Sequence, residues 1–339
     1  MPGEAPSDAS ASYQVQGVPV RTCVLRGESL ILTDAMTCVS VVIVNHNTAD
    51  LLARCLEHLR ASVVDRPLDI WVVDNGSRDD SAALVRERFP DVRLIVSPRN
   101  LGFAGGNNLA LRQILAEAPP GPARRNHYVL LLNTDCFVEP DTIARTAQFL
   151  DRQPDVGIVG PKVLLPDGRL DLACRRSFPT PASAFWKLTG LSRRFPNSPR
   201  FARYNLTYLD PDKTYEVDSV MGAYMMVRLA AIDDAGLLDE RFFMYGEDLD
   251  WAYRIKQHGW RVFYYADARV LHVKGATSSR QSYRLIVEFY RAMYLFHRKH
   301  YAPGTFVLLN WLVTAGIIVR GGYALFRNLL RPAGAKRVA

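Results

Sequence analysis

The feature that most constrains the fold is an alternation of short apolar runs with segments of helical periodicity along the first half of the chain. Unbroken apolar runs are typical of parallel strands buried on both faces, and a parallel pair needs a crossover helix between its strands. The pattern predicts an α/β domain with a mostly parallel, Rossmann-like central sheet flanked by helices. The predicted strands are residues 39–44, 70–73, 92–96 and 128–132, and the predicted helices lie at 51–59, 81–89 and 109–115.

The alternation weakens beyond Gly160, where six prolines interrupt the stretch between residues 161 and 199. We expect loops and short strands there, shaping an acceptor pocket. No Pro-, Gly- or Ser-rich linker separates Thr37 from Asp267, so the chain of 339 residues is predicted to hold one catalytic domain with additions at both ends. Near the N-terminus, residues 29–32 form a further predicted strand with no assigned function.

The net charge of +8 indicates an anionic partner. The basic residues occur in scattered pairs, such as Arg175 and Arg176, without a recognisable nucleic-acid-binding module, so no nucleic-acid partner is expected. Five cysteines without a CxxC pair argue against a closed disulfide framework and favour a reducing compartment. Residues 1–12 lack the apolar core of a secretory signal. We therefore expect a cytoplasmic location.

Polar side chains follow three of the predicted strands, at the point where each strand ends. In open α/β sheets, ligands bind outside the carboxyl ends of the strands. Asp and Asn are also common turn formers, but their presence at three strand ends favours a binding site over that ordinary explanation. The residues concerned are Asn45, His46 and Asn47, then Asp74, Asn75, Gly76 and Ser77, and finally Asn133, Thr134 and Asp135.

Three further segments carry candidate functional residues. Residues 99–107 place three glycines before a helix, which suits either close approach to a phosphate or a simple turn. Glu247, Asp248 and Asp250 open a predicted helix, where acids favour the helix dipole, yet three carboxylates in four residues exceed that need. One of them is a candidate general base. A lone histidine such as His272 is more often structural than a ligand.

In these segments the sequence resembles the family 2 glycosyltransferases, which have the GT-A fold, and especially their bacterial rhamnosyltransferase-like branch. The resemblance extends over roughly residues 37–279, so that 1–36 is predicted to be an N-terminal extension and 280–339 a helical C-terminal segment. In this order the motifs are specific, although each alone is not. They read VSVVIVNHNTADLLARCLEHL, VVDNGSRDDS, NLGFAGGNN, LLLNTDCFVEP and FFMYGEDLDWAYRIKQHGW, followed by VLHVKG.

The resemblance implies a nucleotide-sugar site built from the strand ends and from the start of the helix after residue 100. The donor would be held by Asn45, Asn47, Asp74, Asn75, Asn100, Gly102, Phe103, Asn107, Asn133 and Thr134.

It also implies a divalent cation, Mg²⁺ or Mn²⁺, contacted by Asp135 and by His272, which reverses the structural interpretation of His272. Asn133 stands where the family motif has its first acid. One negative charge is lost there, so we expect modest metal affinity. The implied catalytic base is Asp248, with Glu247 as the less favoured choice.

The implied reaction is inverting transfer from a nucleoside diphosphate sugar, best matched by dTDP-rhamnose, to a hydroxyl of a cell-envelope glycan or lipid-linked acceptor. Galactofuranosyl, mannosyl and N-acetylglucosaminyl transfer are alternatives within the same fold. A nucleotide- or carbohydrate-binding protein without turnover is the alternative from another class, and it is disfavoured because Asp74, Asp135 and Asp248 are all present.

The C-terminal segment contains an apolar stretch at residues 305–319, which approaches the length of a bilayer-spanning helix when extended back to Tyr301. Basic residues on both sides suit an interfacial helix on an anionic leaflet. A core or oligomer helix is nearly as well supported. The interfacial hypothesis adds a peripheral position on the inner face of the plasma membrane to the expected cytoplasmic location.

Overall fold

The computed structural model describes residues 38–274 and 282–330, together with short strands at 15–16, 22–25 and 28–31. The strands are β1 (Val15–Gln16), β2 (Thr22–Leu25), β3 (Glu28–Ile31), β4 (Cys38–Asn45), β5 (Leu68–Asn75), β6 (Arg93–Ser97), β7 (His127–Leu132), β8 (Cys136–Val138), β9 (Val156–Leu164), β10 (Tyr215–Glu216), β11 (Tyr224–Arg228) and β12 (Arg261–His272). The α-helices are α1 (Ala49–Arg60), α2 (Ser81–Arg88), α3 (Gly102–Glu117), α4 (Thr142–Arg152), α5 (Pro181–Leu188), α6 (Leu191–Arg194), α7 (Leu229–Ala235), α8 (Glu247–Gln257), α9 (Ser282–Phe296) and α10 (Val307–Leu329).

One curled sheet forms the centre of the domain. Its strands β6, β5, β4 and β7 are parallel neighbours in that order. The chain therefore moves from β4 towards one edge through β5 and β6, and then returns to the other side of β4 with β7. In open α/β sheets such a reversal opens a crevice at the carboxyl ends of the strands on either side of it. The predicted α/β architecture is confirmed.

The sheet continues past β7 in a way that the sequence pattern did not indicate. Strand β11 runs antiparallel between β7 and β9, and β9 is parallel to the long strand β12. Every residue of β11 is buried, so its apolar run carries no signal of strand direction. The stretch between β9 and β11 holds only short elements, as expected from its prolines.

Helix α8 is fixed at the edge of this sheet by its own apolar face and by the C-terminal part of the chain. Trp251 is fully buried, and its indole N–H donates to Gly236 O at 2.8 Å. Phe242 and Leu249 pack with Ala292 and Phe296 of α9 in a separate apolar cluster. The position of α8 therefore depends on α9 as well as on the sheet.

A buried carboxylate ties α8 to the π-helical turn that follows α9. Asp250 is fully buried and accepts from Arg254 at 2.9 Å, from Lys299 at 2.7 Å and from His300 at 2.7 Å. Lys299 also pairs with Asp239 at 2.6 Å. Three donor groups around one carboxylate satisfy its oxygens, whereas leaving a buried charge unpaired would be costly.

Helix α10 is mostly exposed. It has 23 residues with a mean hydropathy of 1.4 and is, among the described residues, the helix long and apolar enough to cross a membrane by length and composition. It begins at Val307, two residues after the start of the predicted apolar stretch, and continues past residue 319 to Leu329. Of the predicted strand at 29–32, β3 covers the first three residues, and Leu32 lies outside the described part of the chain.

The buried Arg228 should be essential for stability. Its guanidinium donates to the carbonyl oxygens of Val156, Leu150, Gln153 and Arg125, and so joins β11 to three neighbouring segments. We expect the change Arg228→Met to remove all four of these hydrogen bonds and to lower the free energy of unfolding by about 2–4 kcal/mol. Urea denaturation measures this. The exposed control Arg152→Met should change stability by less than about 0.5 kcal/mol, and equal effects would contradict the assigned role.

Candidate active site

Side chains from the ends of β4, β5 and β7 meet in one hydrogen-bonded group. The amide of Asn45 donates to Asp74 Oδ1 at 3.3 Å and to Ser77 Oγ at 3.1 Å. Its Oδ1 atom accepts from the Thr48 hydroxyl at 2.7 Å, and this hydroxyl lies 3.1 Å from Thr134 Oγ1. Thr48 is the N-cap residue of α1 but makes no side-chain cap bond, because its hydroxyl serves this group instead. The strand ends are therefore cross-linked and pre-organised.

The turn between β6 and α3 is held against β5 by an amide side chain. The Nδ2 atom of Asn75 donates to Asn100 Oδ1 at 3.2 Å and to Gly102 O at 2.9 Å, while its Oδ1 accepts from Leu101 N at 2.9 Å. Gly102 has a φ of +77°, and a Cβ there would clash with the Phe243 carbonyl. Glycine at this position permits both the left-handed backbone and the close approach. The first turn of α3 is thereby fixed beside the end of β5.

The remaining residues predicted for the donor site differ in accessibility. Asn47 is exposed, with a φ of 56°, and its Oδ1 accepts from Arg78 N at 2.7 Å. The ring of Phe103 is partly exposed and lies against Gly222. Asn107 is buried, and its amide donates to Phe103 O at 2.9 Å within α3. Asn47 and Phe103 thus retain an exposed surface, whereas the Asn107 amide is engaged by its own helix.

Asp135, Cys136 and His272 form a group whose ligand atoms all lie within 4.8 Å of one another. His272 Nε2 is 3.3 Å from Asp135 Oδ1, and His272 Nδ1 is 3.1 Å from Asp171 Oδ2. Burial opposes a charge on the ring, but hydrogen bonds to Asp135 and Asp171 outweigh burial and raise the pKa of His272 to about 12. The imidazole therefore lies between two carboxylates where β8 pairs with the end of β12.

Two of these three side chains fit a hard divalent cation. Carboxylate oxygen suits both Mg²⁺ and Mn²⁺, and Mn²⁺ also accepts imidazole nitrogen, whereas a thiol suits neither ion. Burial raises the pKa of Cys136, so that residue remains a neutral thiol. The contact of His272 Nδ1 with Asp171 is the arrangement that orients imidazole ligands of metals, and it directs Nε2 towards Asp135. The residues that could hold the cation are thus Asp135 and His272.

The first turn of α8 places three carboxylates in different environments. Glu247 is buried, and its Oε2 atom has no hydrogen-bond partner. Burial, together with the charge of Asp248, raises the pKa of Glu247 well above its usual range. Asp248 is partly exposed, and its Oδ2 accepts from Arg176 Nη2 at 2.7 Å and from Gly222 N at 3.1 Å. Asp250 faces the other way, towards the C-terminal turn described above.

One dipeptide connects the acidic start of α8 to the polar end of β7. Gly222 N donates to Asp248, and the next residue, Ala223, accepts at its carbonyl from Asn133 N at 2.9 Å. A Cβ added to Gly222 would lie 3.5 Å from Asp248 Cβ and 3.3 Å from the Phe103 ring. The candidate base and the candidate donor-binding surface therefore meet at this glycine.

Sequence patterns did not predict the supporting residues Asp171, Arg176 and Gly222. Arg176 stood out only as half of a basic pair, and neither Asp171 nor Gly222 belongs to a motif. All three lie in the irregular part of the chain after Gly160, where neither periodicity nor spacing relates a residue to the sheet. The nearest signal in the sequence is the adjacent pair Arg175 and Arg176, and both of these side chains are buried in the fold.

Comparison with known sequences places the chain in a family. Residues 37–286 match the family model described as "Glycosyltransferase like family 2". Over 299 residues the chain is 26% identical to the N-acetylglucosaminyl-diphospho-decaprenol L-rhamnosyltransferase of Mycobacterium tuberculosis, covering 88% of this chain and 96% of that protein. The rhamnosyltransferase WbbL of Escherichia coli K12 is 24% identical over 244 residues, covering 69% and 83%.

Solved structures agree on the fold. The Pyrobaculum calidifontis mannosyltransferase PcManGT, in complex with GDP-Man and Mn²⁺, has a TM-score of 0.52 and 19% identity, with 85% of this chain and 71% of that chain covered. The S. aureus TarS fragment 1–349 has a TM-score of 0.50 and 16% identity, with 85% and 72% covered. At these identities the likeness concerns the architecture alone, and it confirms the predicted GT-A fold.

The burial of Glu247 has a consequence for stability against pH. The pKa of Glu247 in the folded state is raised above its ordinary value of 4.5. The folded protein therefore holds this proton to a higher pH than the unfolded chain does. The wild-type protein therefore loses stability as pH rises above that value. The glutamine variant has no such proton to lose. We therefore compare the melting temperature of Glu247→Gln with that of the wild type at each pH, and we expect this difference to increase in favour of the variant by at least about 2 °C from about pH 5 to about pH 8. A constant difference across that range would show that Glu247 is not protonated in the fold.

The contact between Asp171 and His272 predicts an effect on metal affinity. We expect Asp171→Asn to weaken Mn²⁺ binding by about 10–100-fold, since the imidazole loses the carboxylate that orients it. Isothermal calorimetry with Mn²⁺ in the presence of dTDP measures this. Asp167→Asn is the matched control, because the Asp167 carboxylate is exposed and pairs only with Arg169 among the contacts described. Equal Mn²⁺ affinity in both variants would argue against His272 as a ligand.

Proposed function

The chain belongs to the family 2 glycosyltransferases, and from this premise we propose that it transfers a sugar from a nucleoside diphosphate donor to an acceptor hydroxyl with inversion at the anomeric carbon. The observation that carries this proposal is the position of Asp248. Its carboxylate lies at the Gly222 junction, beside Phe103 and next to the strand ends. A base is thus available at the edge of a pre-organised polar crevice.

In this proposal the donor nucleotide lies along the ends of β4, β5 and β7. Asn45, Asp74 and Asn75 supply polar groups that are already held in place by neighbours. Exposed Asn47 and the ring of Phe103 contact the donor directly, as do Asn100 in the turn before α3 and Gly102 at the start of that helix. Asn107 supports that turn from within α3, since its amide binds Phe103 O. Asn133 and Thr134 complete the site on the side of β7.

Asp135 and His272 would hold Mg²⁺ or Mn²⁺ against the donor diphosphate. The cation would supply positive charge that stabilises the leaving group. Asn133 offers the cation a neutral amide oxygen, whereas an acid at this position would bind the cation more tightly. We therefore expect a modest affinity for the metal. The orientation of His272 is set by Asp171, and a metal ligand must be the neutral imidazole. Metal binding would therefore release a proton from His272.

Asp248 is the proposed general base. One carboxylate is sufficient for a single displacement, because inversion needs no covalent intermediate on the protein. Arg176 and the Gly222 N–H hold Oδ2, which orients the carboxylate towards the acceptor side of the crevice. Glu247 is the weaker candidate, since it is buried and its raised pKa favours the protonated form, which cannot accept a proton.

The favoured donor is dTDP-rhamnose, and the favoured acceptor is a lipid-linked glycan precursor in the cell envelope. The support is the similarity to two rhamnosyltransferases, one of which is described as acting on N-acetylglucosaminyl-diphospho-decaprenol. Galactofuranose, mannose and N-acetylglucosamine remain the competing sugars. Thermal stabilisation by a panel of nucleotide sugars would rank the donors, because a bound ligand stabilises the folded state by mass action.

We further propose that the catalytic domain spans residues 37–279 and that 280–339 attach it to the cytoplasmic face of the plasma membrane. Helix α10 supports this, since its large apolar side chains are exposed and basic residues lie on both sides of it. A helix with such flanks binds an anionic surface through buried apolar area and through charge. The proposed location is therefore cytoplasmic and peripheral.

Removing the base should separate transfer from donor binding. We expect Asp248→Asn to lower kcat by at least about 100-fold while the donor affinity stays within about threefold, because the amide preserves shape but cannot accept a proton. A radiolabelled transfer assay with Mn²⁺ measures the rate, and calorimetry measures donor affinity. Glu247→Gln is the matched control and should retain most of the activity. If Glu247→Gln lost more activity than Asp248→Asn, the general base would be Glu247. Activity that persists in EDTA would show that the reaction does not need the metal.

Membrane attachment should respond to salt. We expect the full-length chain to sediment with vesicles that contain phosphatidylglycerol and to be released in part at high ionic strength, because screening weakens the contribution of each basic residue. Vesicle co-sedimentation across a salt series measures this. Retention at high salt with release only by detergent would instead indicate a helix that spans the bilayer. A chain that stays in solution with every vesicle composition would refute the attachment.

A further inference from the structure

Two segments of the chain combine exposed apolar side chains with an almost complete lack of acids. Residues 181–209 contain five Lys or Arg residues and no Asp or Glu, and residues 282–330 contain six Lys or Arg residues and one acid, Glu288. The whole chain has 42 basic and 34 acidic residues, so this separation of charge is local. Within the described residues, the large apolar side chains that are exposed elsewhere are Val63, Leu172 and Leu271.

The first of these segments holds α5 and α6 and forms a small aromatic cluster at the surface. Phe185 and Leu188 are 53% and 56% exposed, and Phe195 is 44% exposed. The Trp186 ring packs edge-on against Phe185 and against Phe201, with centroids 5.1 Å and 5.0 Å apart. Ring contacts hold the aromatic side chains together, yet Phe185, Leu188 and Phe195 keep roughly half of their own area exposed. Packing within the described chain therefore leaves their outer surface uncovered.

The two segments lie close together in the fold. Lys187 of α5 is near enough to Arg320 of α10 and to Arg176 to experience their charges. Gly321, next in sequence, packs on the Tyr290 ring of α9. The aromatic cluster and the exposed helix α10 therefore belong to the same side of the molecule, and Arg176 of the candidate active site lies beside them.

We propose that the α5–α6 segment is a second lipid-contact site, which together with α10 seats the active site against an anionic bilayer. Phe185, Leu188 and Phe195 would enter the interface, where aromatic and aliphatic side chains gain from leaving water. Arg193, Arg194 and Arg200 would meet the lipid headgroups.

The charge pattern selects a bilayer over a second copy of the chain. In a symmetric dimer the same surface would face itself, and the basic groups of both copies would repel each other without an acidic partner. An anionic membrane offers both an apolar layer and negative charge, which matches the combination present on these segments. Free phosphate or a soluble glycan would match the charge but leave the apolar side chains exposed.

This second contact fixes the orientation of the domain as well as its attachment. A single helix such as α10 leaves the domain free to rotate about the helix axis, whereas a helix and a neighbouring contact off its axis together define a plane. The α5–α6 segment follows directly after Arg176, which pairs with Asp248. The plane therefore passes next to the candidate base, where the hydroxyl of a lipid-linked acceptor would arrive. The presence of a lipid-linked acceptor depends on the proposed function, but the lipid contact itself does not.

Lipid contact by Trp186 can be measured directly. Of the five tryptophans, Trp71, Trp251 and Trp260 are buried in the core, and Trp311 lies on α10. In full-length Trp311→Phe protein, Trp186 is thus the remaining tryptophan outside the core. We expect its fluorescence to be quenched by phosphatidylglycerol vesicles that contain brominated phosphatidylcholine. Absence of quenching while the protein still sediments with the vesicles would overturn the proposal.

Binding of surface variants to the same vesicles gives the second test, in the absence of donor and acceptor. We expect Phe185→Ser/Leu188→Ser and Arg193→Glu/Arg194→Glu each to bind about tenfold more weakly than wild type. The controls Val63→Ser and Arg86→Glu/Arg152→Glu lie outside both segments and should bind as wild type does. Since all these side chains are exposed, unchanged thermal unfolding should accompany each result.

Wild-type binding by both surface variants would overturn the lipid contact. The proposal would also be wrong if the chain alone formed a dimer in sedimentation velocity that Arg193→Glu/Arg194→Glu dissociated, because the surface would then serve a second copy. A chain that shows Trp186 quenching and weakened binding of the variants, but transfers no sugar, would support the lipid contact and refute the proposed function.

Discussion

The ion pair between Arg176 and Asp248 is the contact on which the geometry of the site depends. Its atoms are 2.7 Å apart, and both side chains are nearly withdrawn from water, with 10% and 12% of their surface exposed. Losing one partner of such a pair is strongly destabilising because the other charge remains buried. The same guanidinium binds Val220 O and the same carboxylate binds Gly222 N. The pair therefore fastens α8 to the segment just before β11, where Ala223 O also accepts from Asn133 N at the polar end of β7.

The three carboxylates at the start of α8 show why a motif alone does not define a role. All three lie in the first turn of α8, where a negative charge favours the helix dipole. Glu247 is buried without a partner for Oε2, Asp248 is balanced by one arginine, and Asp250 is surrounded by Arg254, Lys299 and His300. Their surroundings suit three tasks: a protonated acid, a base at the crevice, and an anchor for the C-terminal segment. The anchor links the proposed membrane helix to the helix that carries the proposed base.

The parallel half of the sheet and the polar strand ends were predictable because they depend on local sequence. Apolar runs define β4, β5 and β7, and the residues that follow them must lie at one edge of a parallel sheet. His272 was not predictable from its surroundings, since its contacts arise when β12 pairs with β8 and brings it to Asp135. Asp171 and Arg176 come from the proline-rich stretch, whose path is set by tertiary packing. Only the resemblance to a family related His272 to the metal site.

The most direct test of the account is a proton NMR time course of the purified full-length chain with Mn²⁺, dTDP-rhamnose and a lipid-linked N-acetylglucosamine acceptor in vesicles. The account predicts consumption of the donor and appearance of a glycosidic product whose anomeric configuration is opposite to that of the donor. A product with retained configuration would contradict a single displacement assisted by Asp248. Absence of any transfer, with this donor or with the competing nucleotide sugars, would contradict the assignment as an active glycosyltransferase.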